Sequence, residues 1–258
     1  MAKKTKQSAA DQAAQQAIIK AFKKLPLWLQ IVIVAVIAIG LLVSQNGGAD
    51  SQVALNSANK MEVVPAYEGE LYTIVGDNEP TFTAEELAVE AFEYYAPLDA
   101  LGRCGAAEAC LGQELMPTEE RGSISSVYPS GWEQAFYDFV PGEAVYNRSH
   151  LIGFQLTGEN ANEQNLITGT RYMNADGMEP LESMVADYIR ATGNHVRYRV
   201  TPVFEGQELV ARGVWMEALS IEDEGAGICF SVYVHNVQPG VEIDYATGQT
   251  WAAEENAA

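Results

Sequence analysis

An almost unbroken apolar run from Leu25 to Val43, in which only Gln30 is polar, constrains most strongly how this chain can fold. The run is 19 residues long. At a helical rise of ~1.5 Å per residue, it comes close to the ~30 Å hydrocarbon core of a bilayer. The run therefore predicts a single transmembrane helix over residues 25–43.

The lysines give that helix an orientation. Six lysines precede the apolar run, and Lys60 is the next basic residue after it. Because positive flanks stay on the cytoplasmic side, we expect a cytoplasmic tail over residues 1–24 and the rest of the chain outside the membrane. A Ser-, Gln-, Asn- and Gly-rich stretch over residues 44–65 is typical of a flexible linker.

A cleaved signal peptide is the alternative to this uncleaved anchor. The segment before the apolar run and the run itself are both long for a signal peptide, and no clean Ala-x-Ala site follows directly. The alternative predicts a mature protein that begins near Ala49.

The exported part is strongly acidic. Residues 45–258 carry nine of the 15 basic and 34 of the 35 acidic residues, which gives them a formal charge of −25. Passive binding of nucleic acid depends mainly on Lys and Arg that neutralise phosphates, so the composition argues against it. A polyanionic ligand would need a local cationic strip or a divalent ion.

The three cysteines suit an exported domain. Cys104 and Cys110 bracket a short loop and are candidates for a disulfide outside the cell, whereas Cys229 in an apolar strand is expected to be a buried free thiol. With no Cys-x-x-Cys pair and three histidines in all, a structural zinc site and a zinc-dependent hydrolase are both disfavoured.

The first half of the exported part predicts short strands and one helix. We expect a strand over residues 71–75, a helix that starts at the capping box Thr83-Ala84-Glu85-Glu86 and ends at Pro97, and a mostly irregular stretch over residues 98–120. Short strands are expected at residues 123–127 and 142–146, and a turn-like stretch at residues 168–174.

The second half predicts a helix followed by three strands. Pro180 suits the first turn of a helix that runs to Arg190. Alternating or apolar patterns predict strands over residues 195–203, 208–218 and 228–237. We therefore expect one folded domain over residues 66–246 and a polar, mobile tail over residues 247–258. The order of elements predicts an α+β domain built on an antiparallel sheet.

One short segment combines the groups that phosphodiester hydrolysis with one metal ion requires. Tyr146-Asn147-Arg148-Ser149-His150-Leu151-Ile152-Gly153 supplies an imidazole base and a guanidinium, and Asn174 lies 24 residues beyond the histidine. A neutral imidazole can take a proton from water, and an arginine can clamp a phosphate oxygen. Mg²⁺ prefers oxygen ligands and keeps most of its waters, so one carboxamide can hold it.

A longer series of motifs resembles the DNA/RNA non-specific endonucleases, a family with a ββα-metal site, and within it the exported bacterial DNases and DNA-entry nucleases. The matching stretches follow in order along residues 67–246: 120–124, 129–132, 146–153, 165–168, Asn174, Glu182, 194–199 and 213–218. The family signature is Asp-Arg-Gly-His. This chain has Asn-Arg-Ser-His at residues 147–150, so the arginine and the histidine are kept.

The resemblance implies roles for individual residues. His150 falls on the general base, Arg148 on the arginine that binds the substrate phosphate, and Asn174 on the single protein ligand of Mg²⁺, for which Mn²⁺ or Ca²⁺ are possible substitutes. Glu182 is expected to hold a metal-bound water; the alternative is a solvated carboxylate in the first turn of a helix. Asn165 is expected near the substrate or as an orienting side chain; the alternative is a loop asparagine that satisfies backbone groups.

Further arginines are candidates for the strip that the acidic body needs. Arg121, Arg197 and Arg199 are expected to join Arg148 in one substrate-binding cleft, the alternative for each being an ion pair with one of the many acids. His195 and His235 are expected to be structural.

Two functions follow. The first is a membrane-anchored extracellular endonuclease that cuts DNA, with RNA as a second substrate, without base specificity. The second is a catalytically silent surface protein that binds nucleic acid on the same fold. The sequence indicates no protein partner.

Overall fold

The described part of the chain begins after the predicted membrane segment. The computed structural model describes residue 61 and residues 63–253. The predicted cytoplasmic tail and transmembrane helix, and most of the linker, lie outside the described residues. Within residue 61 and residues 63–253, no helix has both the length and the apolar character needed to cross a bilayer.

A six-stranded sheet forms the main layer, and all of its neighbouring strands are antiparallel. Its strands are β1 (Tyr72–Ile74), β2 (Phe92–Tyr95), β3 (Ala107–Leu111), β6 (Val196–Val203), β7 (Gly213–Ser220) and β8 (Cys229–His235). Across the sheet they lie in the order β1-β8-β7-β6-β3-β2. The predicted α+β class with an antiparallel sheet is confirmed, and the three predicted strands of the second half correspond to β6, β7 and β8.

Alternation along the strands gives the sheet two different faces. In β6, Val196, Tyr198 and Val200 are buried in the main hydrophobic core. The intervening Arg197 and Arg199 point to the opposite face, where they form ion pairs with glutamates. A period of two in the sequence thus becomes one apolar face, which packs on a helix, and one charged face.

A second, two-stranded sheet leads along the chain into the helix that packs on the apolar face of the main sheet. Strands β4 (Tyr146–His150) and β5 (Leu166–Thr170) pair antiparallel, and a short helix α1 (Phe154–Thr157) lies between them. Strand β5 continues almost directly into a π-helical segment, Tyr172–Met178, and then into helix α2 (Glu179–Thr192). The expected helix over residues 180–190 is confirmed, whereas the stretch expected to be turn-like at residues 168–174 is strand and helix.

The predicted helix after Thr83 is much shorter than expected. The capping box forms, and in it the backbone N–H of Thr83 donates to the Glu86 carboxylate at 2.8 Å. The backbone N–H of Glu86 also donates to the Thr83 carbonyl, which closes the turn. The helix is nevertheless a single 3₁₀ turn, Ala84–Leu87. Strand β2 follows and pairs with β3, which lies in the stretch expected to be irregular. Pairing at the sheet edge therefore overrides the local helical pattern. Residues 123–127 do not form the expected strand.

The expected disulfide is not formed. Cys104 and Cys110 are both buried free thiols. Cys104 lies in the main core with its Sγ facing the carbonyl of Leu166, whereas Cys110 on β3 faces the carbonyl of Ala88. The expectation for Cys229 is also wrong, because this thiol at the start of β8 is exposed.

The C-terminal part is more ordered than the predicted polar tail. Strands β9 (Val241–Ile243) and β10 (Thr250–Ala252) form an antiparallel hairpin that extends beyond residue 246. Tyr137 donates a hydrogen bond from its hydroxyl to the Thr250 carbonyl at 3.0 Å, which joins this hairpin to the segment before β4.

One buried asparagine joins the two sheets. The side chain of Asn236, just after β8, accepts from the Thr170 backbone N–H and donates to the carbonyls of Thr168 and Ala211. A fully buried carboxamide with every one of these bonds satisfied fixes the position of β5 relative to the main sheet.

His195 joins three separate segments on the surface. Its Nδ1 lies 2.6 Å from a carboxylate oxygen of Glu222 and its Nε2 lies 3.0 Å from one of Glu114. Ionised carboxylates only accept hydrogen bonds, so both ring nitrogens donate and the ring is an imidazolium ion. The bond to Glu222 is the largest cause of a raised pKa for His195, and the bond to Glu114 acts in the same direction.

We predict that this contact makes stability depend on pH. Because the pKa of His195 is raised in the folded state, its contribution is complete below the unfolded pKa of about 6.5 and is lost as pH rises through the folded pKa. His195→Gln should therefore lower the free energy of unfolding by on the order of 1 kcal/mol at pH 6 and by much less at pH 9. Urea denaturation of parent and variant at each pH measures the difference.

The matched control is Arg190→Gln, which removes an exposed ion pair with Asp187 in which no histidine takes part. Its effect should be equal at the two values. Comparing variant with parent at each pH also cancels the contribution of His235, whose pKa is lowered to about 4 by burial. An equal loss at pH 6 and pH 9 for His195→Gln would contradict the assignment.

Candidate active site

The loop after β4 is held in place by Asn165. Its side-chain oxygen accepts from the Ile152 backbone N–H at 2.9 Å and its side-chain nitrogen donates to the Ile152 carbonyl at 3.0 Å. The side chain is fully buried. Asn165 therefore positions the turn that follows His150 by satisfying backbone groups, which is the alternative considered from the sequence. It has no surface to offer a substrate, so the expected substrate contact is not what the structure shows.

The surroundings of His150 fix which ring nitrogen carries the proton. Nε2 lies 2.8 Å from the Asn160 carbonyl, which can only accept, and Nδ1 lies 3.5 Å from Nη2 of Arg121, which can only donate. Both neighbours therefore require the tautomer with hydrogen on Nε2 and a lone pair on Nδ1. His150 is 6% exposed, and burial, assisted by the Arg121 charge, lowers the pKa of this histidine. The ring is neutral near pH 7, and the Nδ1 lone pair, which faces the 3.5 Å contact with Arg121, is its proton acceptor.

Asn174 lies in the π-helical segment, whose start is held by side chains from elsewhere in the fold. The backbone N–H of Tyr172 bonds to the Gln238 side chain, and that of Met173 bonds to the Thr170 hydroxyl. The Tyr72 hydroxyl donates to the Gly177 carbonyl at 2.7 Å near the end of the segment. A π-helical turn is rare and is common at functional sites, because it turns one side chain out of the regular helical position.

Glu182 comes from the first turn of α2 and packs against the loop after β4. A Cβ at position 153 would collide with the Glu182 carboxylate, so any residue larger than glycine there would displace that carboxylate. The side chain is buried, and this desolvation raises the pKa of Glu182 to about 8. A cation beside the carboxylate would act in the opposite direction and favour its ionised form.

A cavity of about 310 Å³ brings four of the predicted site residues together. His150, Asn174, Glu182 and Arg121 all line it, with Gly153, Phe154, Gln155 and Glu179. His150 therefore lines the same space as a carboxamide, a carboxylate and a guanidinium. These groups come from β4, the π-helical segment, α2 and the loop before β4.

Arg148 lies next to this cavity without lining it. Its Nε donates to the Val127 carbonyl and its Nη2 to the Ser125 carbonyl. Its guanidinium also lies over the ring of Trp132 at 4.2 Å. In this structure, Arg148 holds the loop that approaches the cavity from residues 121–132.

The structure does not bring Arg197 and Arg199 to the cavity. Arg197 is 2% exposed and pairs with Glu108, and Arg199 pairs with Glu217 at 2.8 Å. Both point to the sheet face opposite the core. The expected shared cleft is wrong for these two residues, and the alternative of ion pairing is what the structure shows.

Three residues of the site were missed by sequence reasoning. Asn160 acts through its backbone carbonyl, so its side-chain type carries no signal. Tyr72 acts over more than 100 positions of sequence separation. Gln238 and Asn236 are two carboxamides that follow the apolar strand β8. Two carboxamides at such a position are a usable sequence signal for side chains that bond to buried backbone groups.

The donor set of the cavity fits a hard, hydrated cation. Asn174 and Glu182 offer oxygen atoms, which are the ligands that Mg²⁺ prefers. Nowhere in residue 61 and residues 63–253 do three His, Cys, Asp or Glu side chains cluster as a cage for a metal ion. An ion bound here would therefore keep most of its water, as Mg²⁺ does.

Comparison with solved structures places this fold among nucleases. The structure of NucA from Streptococcus agalactiae with magnesium ion bound matches with a TM-score of 0.61 and 27% identity, over 69% of this chain and 84% of that one. The structure of Sda1 nuclease with bound zinc ion matches with a TM-score of 0.59 over 71% of this chain and 97% of that one. At 24% identity, the second match bears on the fold alone.

Sequence comparison agrees with the structural one. A deoxyribonuclease from Streptococcus dysgalactiae subsp. equisimilis is 35% identical over 109 residues, which are 40% of this chain and 32% of that protein. The match thus spans about a third of the relative's length. The family model described as DNA/RNA non-specific endonuclease matches residues 84–221, more than half of the chain and all the residues that line the cavity. The chain belongs to the DNA/RNA non-specific endonuclease family.

Proposed function

We propose that residues 66–253 hydrolyse phosphodiester bonds of DNA, and of RNA as a second substrate, with His150 as general base and one Mg²⁺ ion. The observation that carries the proposal is the cavity that His150, Asn174, Glu182 and Arg121 share. Other divalent ions of similar chemistry, Mn²⁺ and Ca²⁺, are candidates for the same position.

The tautomer of His150 supports the role of a base. Its Nε2–H is held by the Asn160 carbonyl, so Nδ1 can accept a proton from a water molecule in the cavity. As the proton moves to Nδ1, the water oxygen bonds to phosphorus and the bond from phosphorus to the 3′-oxygen breaks. One fragment then ends in a 5′-phosphate, and the released 3′-oxygen takes a proton from solvent.

Arg121 supports the binding and stabilisation of the phosphate. Its guanidinium lines the cavity 3.5 Å from Nδ1 of His150, so a phosphate oxygen beside the attacking water lies within its reach. A charged, bidentate donor in this position favours the extra negative charge of the transition state.

Asn174 and Glu182 are the residues that would hold the cation. The Asn174 carboxamide would be a direct oxygen ligand, and the Glu182 carboxylate would orient water around the ion. Mg²⁺, when bound, would supply positive charge next to the phosphate and the leaving oxygen. NucA from Streptococcus agalactiae, a relative with the same fold, was solved with magnesium ion bound, which favours the same ion here.

The first test concerns the base. His150→Ala should lower the rate of plasmid nicking by about 10²- to 10⁴-fold, because general base catalysis contributes on that order. The measurement is the rate of conversion of supercoiled plasmid in Mg²⁺, with thermal unfolding to show that the variant is folded. His195→Gln is the matched histidine control and should nick at the parental rate. Full activity of His150→Ala would exclude this mechanism, and a parent that binds DNA without cutting it would favour the silent binding protein.

The second test concerns the cation. Chelation with EDTA should abolish nicking, and Asn174→Ala should raise the Mg²⁺ concentration for half-maximal rate by about 10- to 100-fold. Asp176→Ala is a sharp control, because it removes an exposed carboxylate from the same π-helical segment. A shift of the Mg²⁺ requirement by Asp176→Ala and not by Asn174→Ala would contradict the assignment.

We further infer that residues 25–43 anchor the enzyme in the cell membrane, with residues 1–24 in the cytoplasm and the nuclease domain outside. The apolar run and the six lysines before it support this topology. The full-length protein should sediment with membranes, resist carbonate extraction and lose its nuclease domain when intact cells are treated with protease. A mature protein whose N-terminus lies near Ala49, recovered from the medium, would show cleavage instead.

A further inference from the structure

An exposed aromatic ring lies beside the candidate active site. Tyr128 is 72% exposed, although the residue before it, Val127, is buried. The loop around it is fixed, because Arg148 donates to the carbonyls of Val127 at 2.5 Å and of Ser125 at 3.0 Å. A large ring on a fixed backbone and open to solvent is a preorganised contact surface, since little motion is lost when a flat ligand packs on it.

Arg148 adds a charge to that surface. Its guanidinium lies 5.2 Å from the ring centroid of Tyr128 and 4.2 Å from that of Trp132. Its Nε and Nη2 donate to backbone carbonyls, and within the described part of the chain its Nη1 has no hydrogen-bond acceptor. The remaining N–H groups can therefore donate to an external phosphate while the ring beside them stays open.

The position of this pair relative to the base defines what it can contact. Arg148 and His150 are two residues apart on β4, so they share one face at a separation of about 7 Å. Arg121, at the other end of the same loop, lines the cavity. A strand whose phosphate enters the cavity and that continues along β4 can therefore place a neighbouring nucleotide next to Arg148 and Tyr128.

The charge of the domain makes an aromatic contact valuable. Arg197 and Arg199 are used in ion pairs on the far face of the sheet, and residues 45–258 carry a formal charge of −25. Few cations are left to hold a polyanion. Stacking of a base on an aromatic ring adds affinity and requires no charge.

We propose that Tyr128 is a stacking platform for an unpaired base next to the scissile phosphate, with Arg148 holding the phosphate of that nucleotide. This inference rests on the proposed nuclease function and names its preferred substrate. The bases of a duplex expose their faces only at ends or distortions, so the platform favours single-stranded nucleic acid over intact duplex.

The test measures binding in a background that does not cut. In His150→Ala with Mg²⁺, fluorescence anisotropy with a labelled oligothymidylate should show that Tyr128→Ala raises the Kd about tenfold or more. Tyr128→Phe should keep the parental Kd, because the ring remains. The effect of Tyr128→Ala on a duplex of equal length should be several-fold smaller.

An abasic strand separates stacking from other losses. In a double-mutant cycle, Tyr128→Ala is combined with an oligonucleotide that carries abasic sites in place of thymidines. If the ring contacts a base, Tyr128→Ala raises the Kd for the normal strand and leaves the Kd for the abasic strand unchanged. Phe136→Ala is the matched control, because Phe136 is a 67% exposed aromatic that does not pack with Arg148. This substitution should leave the Kd unchanged. An unchanged Kd for Tyr128→Ala, an equal loss on the abasic strand, or an equal loss on duplex would overturn the proposal. Failure of the nuclease function appears separately, as uncut plasmid with the parent chain.

Discussion

The direct passage from β5 into a helix determines the geometry of the whole site. In the hairpin, Thr170 lies opposite Tyr146 and Leu166 lies opposite His150, so His150 stands at the end of the hairpin far from the start of the helix. Four steps of strand cover about 14 Å. The helical segments run back along the hairpin, because Glu182, 12 residues after Thr170, packs against Gly153, just past His150. Asn174 lies between Thr170 and Glu182 in the π-helical segment.

The electrostatics of the domain are local. Glutamates neutralise Arg197 and Arg199, and carboxylates hold His195 as an imidazolium ion, so these cations stabilise the fold. Near the cavity, burial has the opposite consequence, because it keeps His150 neutral and raises the pKa of Glu182. Arg121 faces His150.

Much of the site could be predicted from the sequence because its residues lie close together along the chain. The segment from Tyr146 to Glu182 is one hairpin and one helix, so local spacing carries most of the geometry. The pattern of β6 shows two faces, but it does not show which face meets the helix, and for this reason the sequence wrongly predicts Arg197 and Arg199 in the cleft. The capping box at Thr83 is predicted correctly, whereas pairing of β2 with β3, which ends the helix after one turn, is a long-range interaction.

The segments that follow β8 belong to the active-site scaffold, although they carry none of its chemistry. Gln238 bonds to the backbone at the start of the helix that bears Asn174, and the Tyr245 hydroxyl bonds to the Asn236 carbonyl at 2.7 Å. From the other side, the buried hydroxyl of Tyr146 on β4 donates to the Gly248 carbonyl at 3.0 Å. The strand that carries His150 and the π-helical segment that carries Asn174 are thus both tied to residues 236–248. Of this stretch, residues 247–248 belong to the predicted polar tail, and the Gly248 carbonyl is one of the groups that hold β4.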